Sequence, residues 1–467
     1  MVRSKKNQKS IAGFTLHRLT YKFLLPTRCD MRHQPGRRNW IRLLSATAGT
    51  VFSYPFLASF TQAQLLLKPS AKLIPRVFFG MHIHRSDMGT PWPSVGFGSW
   101  RLWDAAVSWS RLQPQKGQWD FSRLDKYAAM GNITGVEILL PLALSPGWAS
   151  ARPFEQSAYE PGNAAEPADM ENWRAFIRTV AKRYKGRIKH YELWNEPNHR
   201  RFFSGTPEAY LALLREANSI LKAEDPSNLL VGPATTGDGK SLEWVDEFLS
   251  LGGGKYLDVL SHHFYVAHDK PETALPYMMR FKFLASKHGL DSLPLWNTET
   301  GWWIENESGR QETQGIASSW KILGAELAAA YVSRALILAW ASGIERFYWY
   351  SWDHKAMGLI DPQSGRLKPA GVAYGRTLKW LEGARMLACT RTSDVWTCKL
   401  NREGVVAWLV WTDADLRREW SIPRSWSVAH VESLDGNRSM LAGRSVMVEA
   451  SPILLSGVAD ADRMTRP

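Results

Sequence analysis

The chain has 467 residues, 45% hydrophobic and 22% charged, with only 3 Cys and a formal charge of +14. These fractions exclude a disordered chain, a collagen-like repeat and a disulfide scaffold. The length fits two or three domains, or one large barrel with a small partner. The 23 Trp point to a heavy core or to aromatic surfaces built for a flat, partly apolar ligand.

The charge is unevenly placed. Eleven Lys and Arg fall in residues 1–63 against the single acid Asp30, so this stretch holds +10 and the remaining 404 residues only +4. Net charge argues for nucleic acid only where it is concentrated on a folded face; here it sits in a leader. Arg37-Arg38-Asn39-Trp40-Ile41-Arg42 precedes a weakly apolar run, Leu43 to Phe60, and a small-residue exit at Thr61-Gln62-Ala63. That order reads as a bacterial export signal of twin-arginine type, with a general secretory signal or an uncleaved anchor as the alternatives. Met31 is a more usual start for such a signal than Met1. Export places the mature protein in the periplasm or outside the cell, with no membrane span after cleavage. It also fits a hairpin disulfide between Cys389 and Cys398, nine residues apart.

From residue 76 short β-branched or aromatic runs alternate with longer amphipathic segments. Strands are predicted at 77–84, 100–109, 136–144, 188–195, 229–232, 257–265, 295–300 and 346–352. Helices are predicted at 122–130, 169–184, 207–223, 242–249, 272–287, 320–341 and 369–381; Pro207 and Pro369 suit the first helical position. Eight strands with intervening helices spell an α/β (β/α)8 TIM barrel over residues 64–384. The first connection, Arg85–Ser99, rich in Gly and Pro, reads as a loop. Strands at 386–400, 404–412, 429–435 and 445–455 read as a small C-terminal antiparallel β-sandwich over 385–460.

In such a barrel the chemistry gathers at the C-terminal ends of the strands. Polar residues there are His82 and His84, Arg101 with Asp104, Asn195-Glu196, His262-His263 with Tyr265, Glu299, and the Trp349–Asp353 stretch with Trp349 and Trp352. Two carboxylates across a barrel mouth suit glycosidic cleavage, one acid protonating the departing oxygen while the other attacks the anomeric carbon or activates water. Either Glu alone would read as an ion-paired rim residue.

The flanking residues carry a resemblance. Tyr191-Glu192-Leu193-Trp194-Asn195-Glu196-Pro197-Asn198 resembles the fourth-strand signature of clan A glycoside hydrolases. Leu295 to Trp302 resembles their seventh-strand nucleophile segment, His263-Phe264-Tyr265 their sixth-strand His-x-Tyr, and Arg101 their second-strand Arg. Gln113 to Phe121 and the trailing sandwich look most like family 39, with family 5 second. The resemblance covers residues 76 to about 455 and implies a retaining glycosidase acting on an oligo- or polysaccharide. Within it Glu196 is the general acid/base and Glu299 the nucleophile. Asn195 is placed to bond the sugar 2-hydroxyl, Tyr265 and Arg101 to hold Glu299 ionised, and His263 to contact substrate. Glu196 is then the carboxyl expected in the less polar surroundings. Trp352 or Trp349 would floor the sugar, and His82 and His84 are sugar hydrogen-bonders or packed strand-end residues. Glu192 sits one layer deeper, paired in the barrel; Glu305 and Glu307 are rival nucleophiles. Trp92, Trp148, Trp302 and Trp303 are further sugar platforms, and loops 85–99 and 149–167 should shape the cleft.

Two rivals use the same residues. His82, His84, His262, His263 and Asp353 could build a metal-dependent hydrolase, but the fifth-strand exit, Gly232 to Thr236, supplies no His. A non-hydrolytic glycan-binding barrel would explain the Trp count without needing both carboxylates. The glycosidase reading needs no metal and no cofactor, and its partner is carbohydrate, not nucleic acid.

Overall fold

The computed structural model describes residues 65–309 and 320–457; residues 1–63, where an export signal is expected, lie outside them. A three-residue strand, β1 (Leu65–Leu67), comes first. The barrel strands follow as β2 (Phe79–His82), β3 (Ser99–Arg101), β4 (Glu137–Leu142), β5 (His190–Leu193), β6 (Leu229–Thr236), β7 (Val259–His263) and β8 (Leu295–Thr300). A small parallel pair, β9 (Trp303–Ile304) and β10 (Ile322–Leu323), precedes β11 (Ile344–Trp349), which pairs with both β8 and β2 and closes the barrel. Parallel strands covered on both faces read as apolar runs, not alternations; β8 is buried along its whole length.

Around this core stand α1 (Trp109–Leu112), α2 (Ser122–Thr134), α3 (Met170–Tyr184), α4 (Pro207–Glu224), α5 (Lys240–Ser250), α6 (Leu275–Lys287), α7 (Ala325–Ala341) and α8 (Pro369–Leu381). Their ends follow local chemistry. Asp169 accepts from the Glu171 N–H and Thr206 from the Ala209 N–H, each satisfying a donor that the first turn cannot. Predicted 122–130 runs on to Thr134 because Gly131 lies inside the helix, where a Cβ would meet the Val136 carbonyl at 2.9 Å. The stop is Gly135, left-handed at φ 68°. The first connection is indeed a loop without helix. Predicted strand 100–109 shortens to three residues, because Asp104 and Ala106 turn left-handed and α1 begins at Trp109.

After α8 come β12 (Arg385–Thr392), β13 (Val395–Arg402), β14 (Val405–Thr412), β15 (Arg418–Ser421), β16 (His430–Glu432), β17 (Arg438–Met440), β18 (Ser445–Val448) and β19 (Ile453–Ser456). One sheet runs β1-β12-β13-β14-β19-β16-β17, and β15–β18 form a separate ribbon. The strand predicted at 386–400 is a hairpin instead, turning at Ser393 (φ 57°) with Thr392 opposite Val395. Residues 65–67 belong to this sheet and not to the barrel: Leu65 pairs with Arg391 and Leu67 with Cys389. Cys389 faces Cys398 in register, and the two form a disulfide.

The period-2 alternation assigns the faces. Val395, Val410 and Leu455 pack with Ile422 and Val448 toward the ribbon. Trp396 and Trp411, one residue along, stack 5.6 Å apart within the main core. Trp411 donates to Glu272 at 2.9 Å, and the same carboxylate is paired with Arg334 of α7. Trp380 and Arg376 of α8 both reach Glu432 of β16 at 2.9 Å. These buried, paired carboxylates tie sheet to barrel, and α7 between them is buried from Ala328 to Ala341.

Candidate active site

At the C-terminal ends of the barrel strands lies a cleft of about 530 Å³. Glu196, Glu299, Asn195 and Tyr265 line it. β5 ends at Leu193, and the chain then bends through left-handed Trp194 (φ 60°) and Glu196 (φ 45°). A hydrogen bond from Glu196 N–H to Ala234 O, 2.9 Å, holds the bend. Non-glycine residues in this region cost about 1–3 kcal/mol each and persist where their surroundings fix them. The bend turns the Glu196 carboxyl toward Glu299 at the end of β8. One carboxylate oxygen of each lies within 4.8 Å of the other's, with a His263 nitrogen in the same group.

Arg101 is the hub behind the pair. Fully buried, it donates from Nε to Glu192 Oε2 at 2.6 Å, from Nη1 to Glu299 Oε2 at 2.8 Å and from Nη2 to Asn195 Oδ1 at 2.7 Å. Its planar fork suits three simultaneous bonds as an ammonium would not. Glu192, one layer deeper, also accepts from Ser261 Oγ at 3.1 Å. Tyr265 donates to Glu299 Oε1 at 3.0 Å, so each Glu299 oxygen faces a fixed donor. Glu196 Oε1 instead meets His263 Nδ1 at 3.0 Å. Burial, with the Arg101 charge nearby, holds that imidazole well below its ordinary value, so it is neutral and can donate or accept.

Burial raises both carboxyls, Glu196 to about 7 and Glu299 to about 8. At Glu299 the charge of Glu196 adds to burial while Arg101 and Tyr265 oppose it. Desolvation therefore does not single out Glu196, as the sequence reading expected; it lifts the pair. Such a pair holds one proton between its members near neutral pH. The donors decide where it rests: a guanidinium N–H and a phenol O–H point at Glu299 lone pairs, whereas Glu196 meets only neutral groups, the His263 ring and the Thr236 hydroxyl. The proton belongs on Glu196.

Other predicted residues fall elsewhere. Trp349 and Trp352 do not floor the cleft: both are fully buried, their indole N–H groups bonded to Met357 O and Pro91 O. Trp302 stacks behind them on Trp349, while Trp92 packs on Trp100 and Trp148 bonds Gln113 O. Of the proposed platforms only Trp303 lines the cleft. His82 is buried against Thr298 O at 3.1 Å, and His84 lies 3.6 Å from Asp353; both rings pack behind Tyr350 at 5.0 Å. His263 contacts Glu196 and does not line the cleft. Glu307 pairs with Arg366, away from the pair.

The cleft aromatics are instead Trp103, Tyr159, Phe202, Trp303, Trp320 and Tyr350. Tyr159 and Tyr350, from loops on different strands, donate to the two oxygens of Asp104 at 2.5 and 2.6 Å. Trp103 could have been found from its place two residues after Arg101. Tyr159 lay in a loop already marked as cleft-shaping, but nothing in the sequence separates it from its neighbours.

Glu196, His263 and Glu299 are the one group of three potential metal ligands among the described residues. They fit a cation poorly, since both Glu299 oxygens already accept hydrogen bonds and one of them comes from a guanidinium. His82, His84, His262 and Asp353 do not join them.

A closed eight-stranded barrel thus carries this carboxylate pair at the ends of its fourth and seventh strands, the face on which barrel enzymes place their chemistry. The sequence profile of glycosyl hydrolases family 39 matches residues 100–286, from β3 through α6. A β-xylosidase of Caldicellulosiruptor saccharolyticus is 33% identical over 114 residues, a stretch spanning 22% of each chain. Among solved structures, a family 39 glycoside hydrolase from Bacteroides cellulosilyticus WH2 superposes with a TM-score of 0.64 at 17% identity, covering 83% of this chain and 82% of its own. A monomeric β-xylosidase from Caulobacter crescentus CB15 gives 0.58 at 18% identity, covering 85% and 100%. Over residues 100–286 the chain is thus similar to glycosyl hydrolases family 39, and its fold is that of the solved family 39 structures.

Proposed function

We propose that this protein is an exported retaining glycosidase that cleaves an O-glycosidic bond in an oligo- or polysaccharide. The observation that carries the reading is the unequal dressing of two carboxylates whose oxygens come within 4.8 Å: Glu299 accepts from a guanidinium and a phenol, whereas Glu196 meets a neutral imidazole and the Thr236 hydroxyl and no cation's N–H. Inverting enzymes need about 6.5–9.5 Å between carboxyls to seat a water; this spacing favours direct attack. Glu299 attacks the anomeric carbon, the glycosidic C–O bond breaks, and Glu196 gives its proton to the departing oxygen. Glu196 then takes a proton from water, whose oxygen attacks the same carbon and releases Glu299. Arg101 and Tyr265 keep Glu299 ionised and aimed, and Asn195, itself oriented by Arg101, is placed for the sugar 2-hydroxyl.

The β-xylosidase relatives make β-xylosides the first substrates to try. Export rests on the leader motif, and it accords with the Cys389–Cys398 disulfide. Glu196→Gln and Glu299→Gln should each lose at least about 10³-fold in kcat, and NMR of the first-formed sugar should show the substrate's own anomer. Near-normal hydrolysis by either variant, or the opposite anomer, overturns the assignment.

A further inference from the structure

Behind Trp103 and Asp104 the cleft wall opens into a second, more enclosed cavity of about 150 Å³. Leu102, Ala105, Val107, Pro141 and Leu144 give it an apolar lining, edged by Ser108, Arg111 and Asn163. It shares Trp103, Asp104 and Tyr159 with the catalytic cleft, so the two spaces adjoin. Nothing in the two-carboxylate chemistry uses it.

The backbone marks the same place. Eight non-glycine residues among those described have left-handed φ. Ser393 and Glu403 sit in hairpin turns, where such conformations are ordinary. Trp194, Glu196 and Ala234 build the catalytic bend. The remaining three, Asp104 (φ 56°), Ala106 (55°) and Leu144 (66°), all line the side cavity. Backbone strain of this kind gathers at functional sites. The chain here therefore holds three left-handed residues around one largely apolar recess, next to the reacting groups.

We propose that this cavity is a substrate subsite for a compact apolar group borne by the sugar in the adjoining cleft. The proposal rests on the glycosidase reading for its sugar but not for its pocket. Size sets the class: a space of about 150 Å³ admits a benzene-sized group, which limits the group to about six carbons. Two sources share that chemistry, the aglycone of a glycoside and an acyl ester on a glycan. The wall also explains why Asp104 is held by two tyrosines: Tyr159 and Tyr350 fix the partition between the two spaces from opposite sides.

The first test needs no turnover. Cyclohexanol added to the protein should shift the methyl resonances of Val107 and Leu144, and Ser108→Phe, at a half-buried lining position, should abolish the shift; Val107→Trp should do the same, read at Leu144. No shift in the wild type, or shifts unchanged in both variants, overturns the subsite whether or not any glycoside is cleaved. The source is then read with non-hydrolysable 1-thio-β-xylosides. Tighter binding of the cyclohexyl than the methyl thioglycoside, by about tenfold, assigns the aglycone. An equal gain for a methyl thioxyloside carrying a cyclohexanecarboxylate ester assigns the acyl group, and no gain from either overturns the claim that sugar delivers the apolar group. Loss of hydrolysis in Glu299→Gln with these shifts intact would separate the two readings.

Discussion

Glu299→Gln should make the protein more stable at pH 8 while abolishing its activity. The ordinary carboxyl value is 4.5, and burial lifts Glu299 to about 8 in the fold. Glu196 and Glu299 titrate as a pair, so the native protein keeps one shared proton, resting on Glu196, that the unfolded chain has already released, and at pH 8 it must bear two buried carboxylates. Stability from this group is full below about 4.5 and is lost progressively as pH rises through 8. At about 1.4 kcal/mol per unit, the rise is worth about 4 kcal/mol by pH 8. Glu196, lifted by the same burial, bears part of that cost, so one substitution should recover about 2–3 kcal/mol. The amide can still accept from Arg101 and Tyr265, and Arg101 keeps Glu192 as its counter-charge. Urea unfolding at pH 8 and pH 5 in parallel measures the difference, with a gain at pH 8 and less than about 1 kcal/mol at pH 5. A variant no more stable than wild type at pH 8 would refute the reasoning, because it would mean that holding both carboxylates ionised side by side costs the fold nothing.

Three further outcomes follow from the same contacts. Glu192→Gln removes the anion behind Arg101 without touching the cleft; it should cost about 3–5 kcal/mol of stability and move the acidic limb of the kcat/KM profile to lower pH, since Arg101 then favours ionised Glu299 more strongly. An unmoved limb would make Glu192 purely structural. Tyr265→Phe deletes one of the two donors on Glu299; loss of a bond to a charged group, about 1.5–3 kcal/mol, should lower kcat/KM by about 10- to 150-fold and move the same limb to higher pH. Reducing Cys389–Cys398, which closes a nine-residue separation, should lower stability by about 2–3 kcal/mol and leave kcat at 25 °C within about twofold, since neither sulfur is near the cleft.

Periodicity and local end signals made the barrel readable. Leu295–Thr300 and Pro369–Leu381 match their predicted bounds, because a Pro at the first helical turn and a buried β-rich run are properties of a few adjacent residues. The hairpin in 385–402 was missed because its turn, Ser393-Asp394, contains neither Gly nor Pro and its left-handed residue is a serine. The two carboxylates and Arg101 were legible as motif residues at strand ends. Trp349 and Trp352 were misplaced for a different reason: parity fixes a side chain only while the strand continues, and β11 stops at Trp349. What fills the cleft wall beyond that point, Tyr350 and Tyr159 on Asp104, is set by where two loops meet, and no single segment contains that information.

The short strand β1 has a consequence for processing. Cleavage after Ala63 would leave a single residue before Leu65 enters the sheet beside β12. The first residues of the mature chain thus clasp a strand formed more than three hundred positions later, and the whole barrel is the loop between them. An endpoint only four residues downstream would strip the cover from β12 and leave its backbone groups open along one edge, a template for pairing with another chain. The position of the cut therefore sets whether the finished sheet ends in a protected margin or a sticky one.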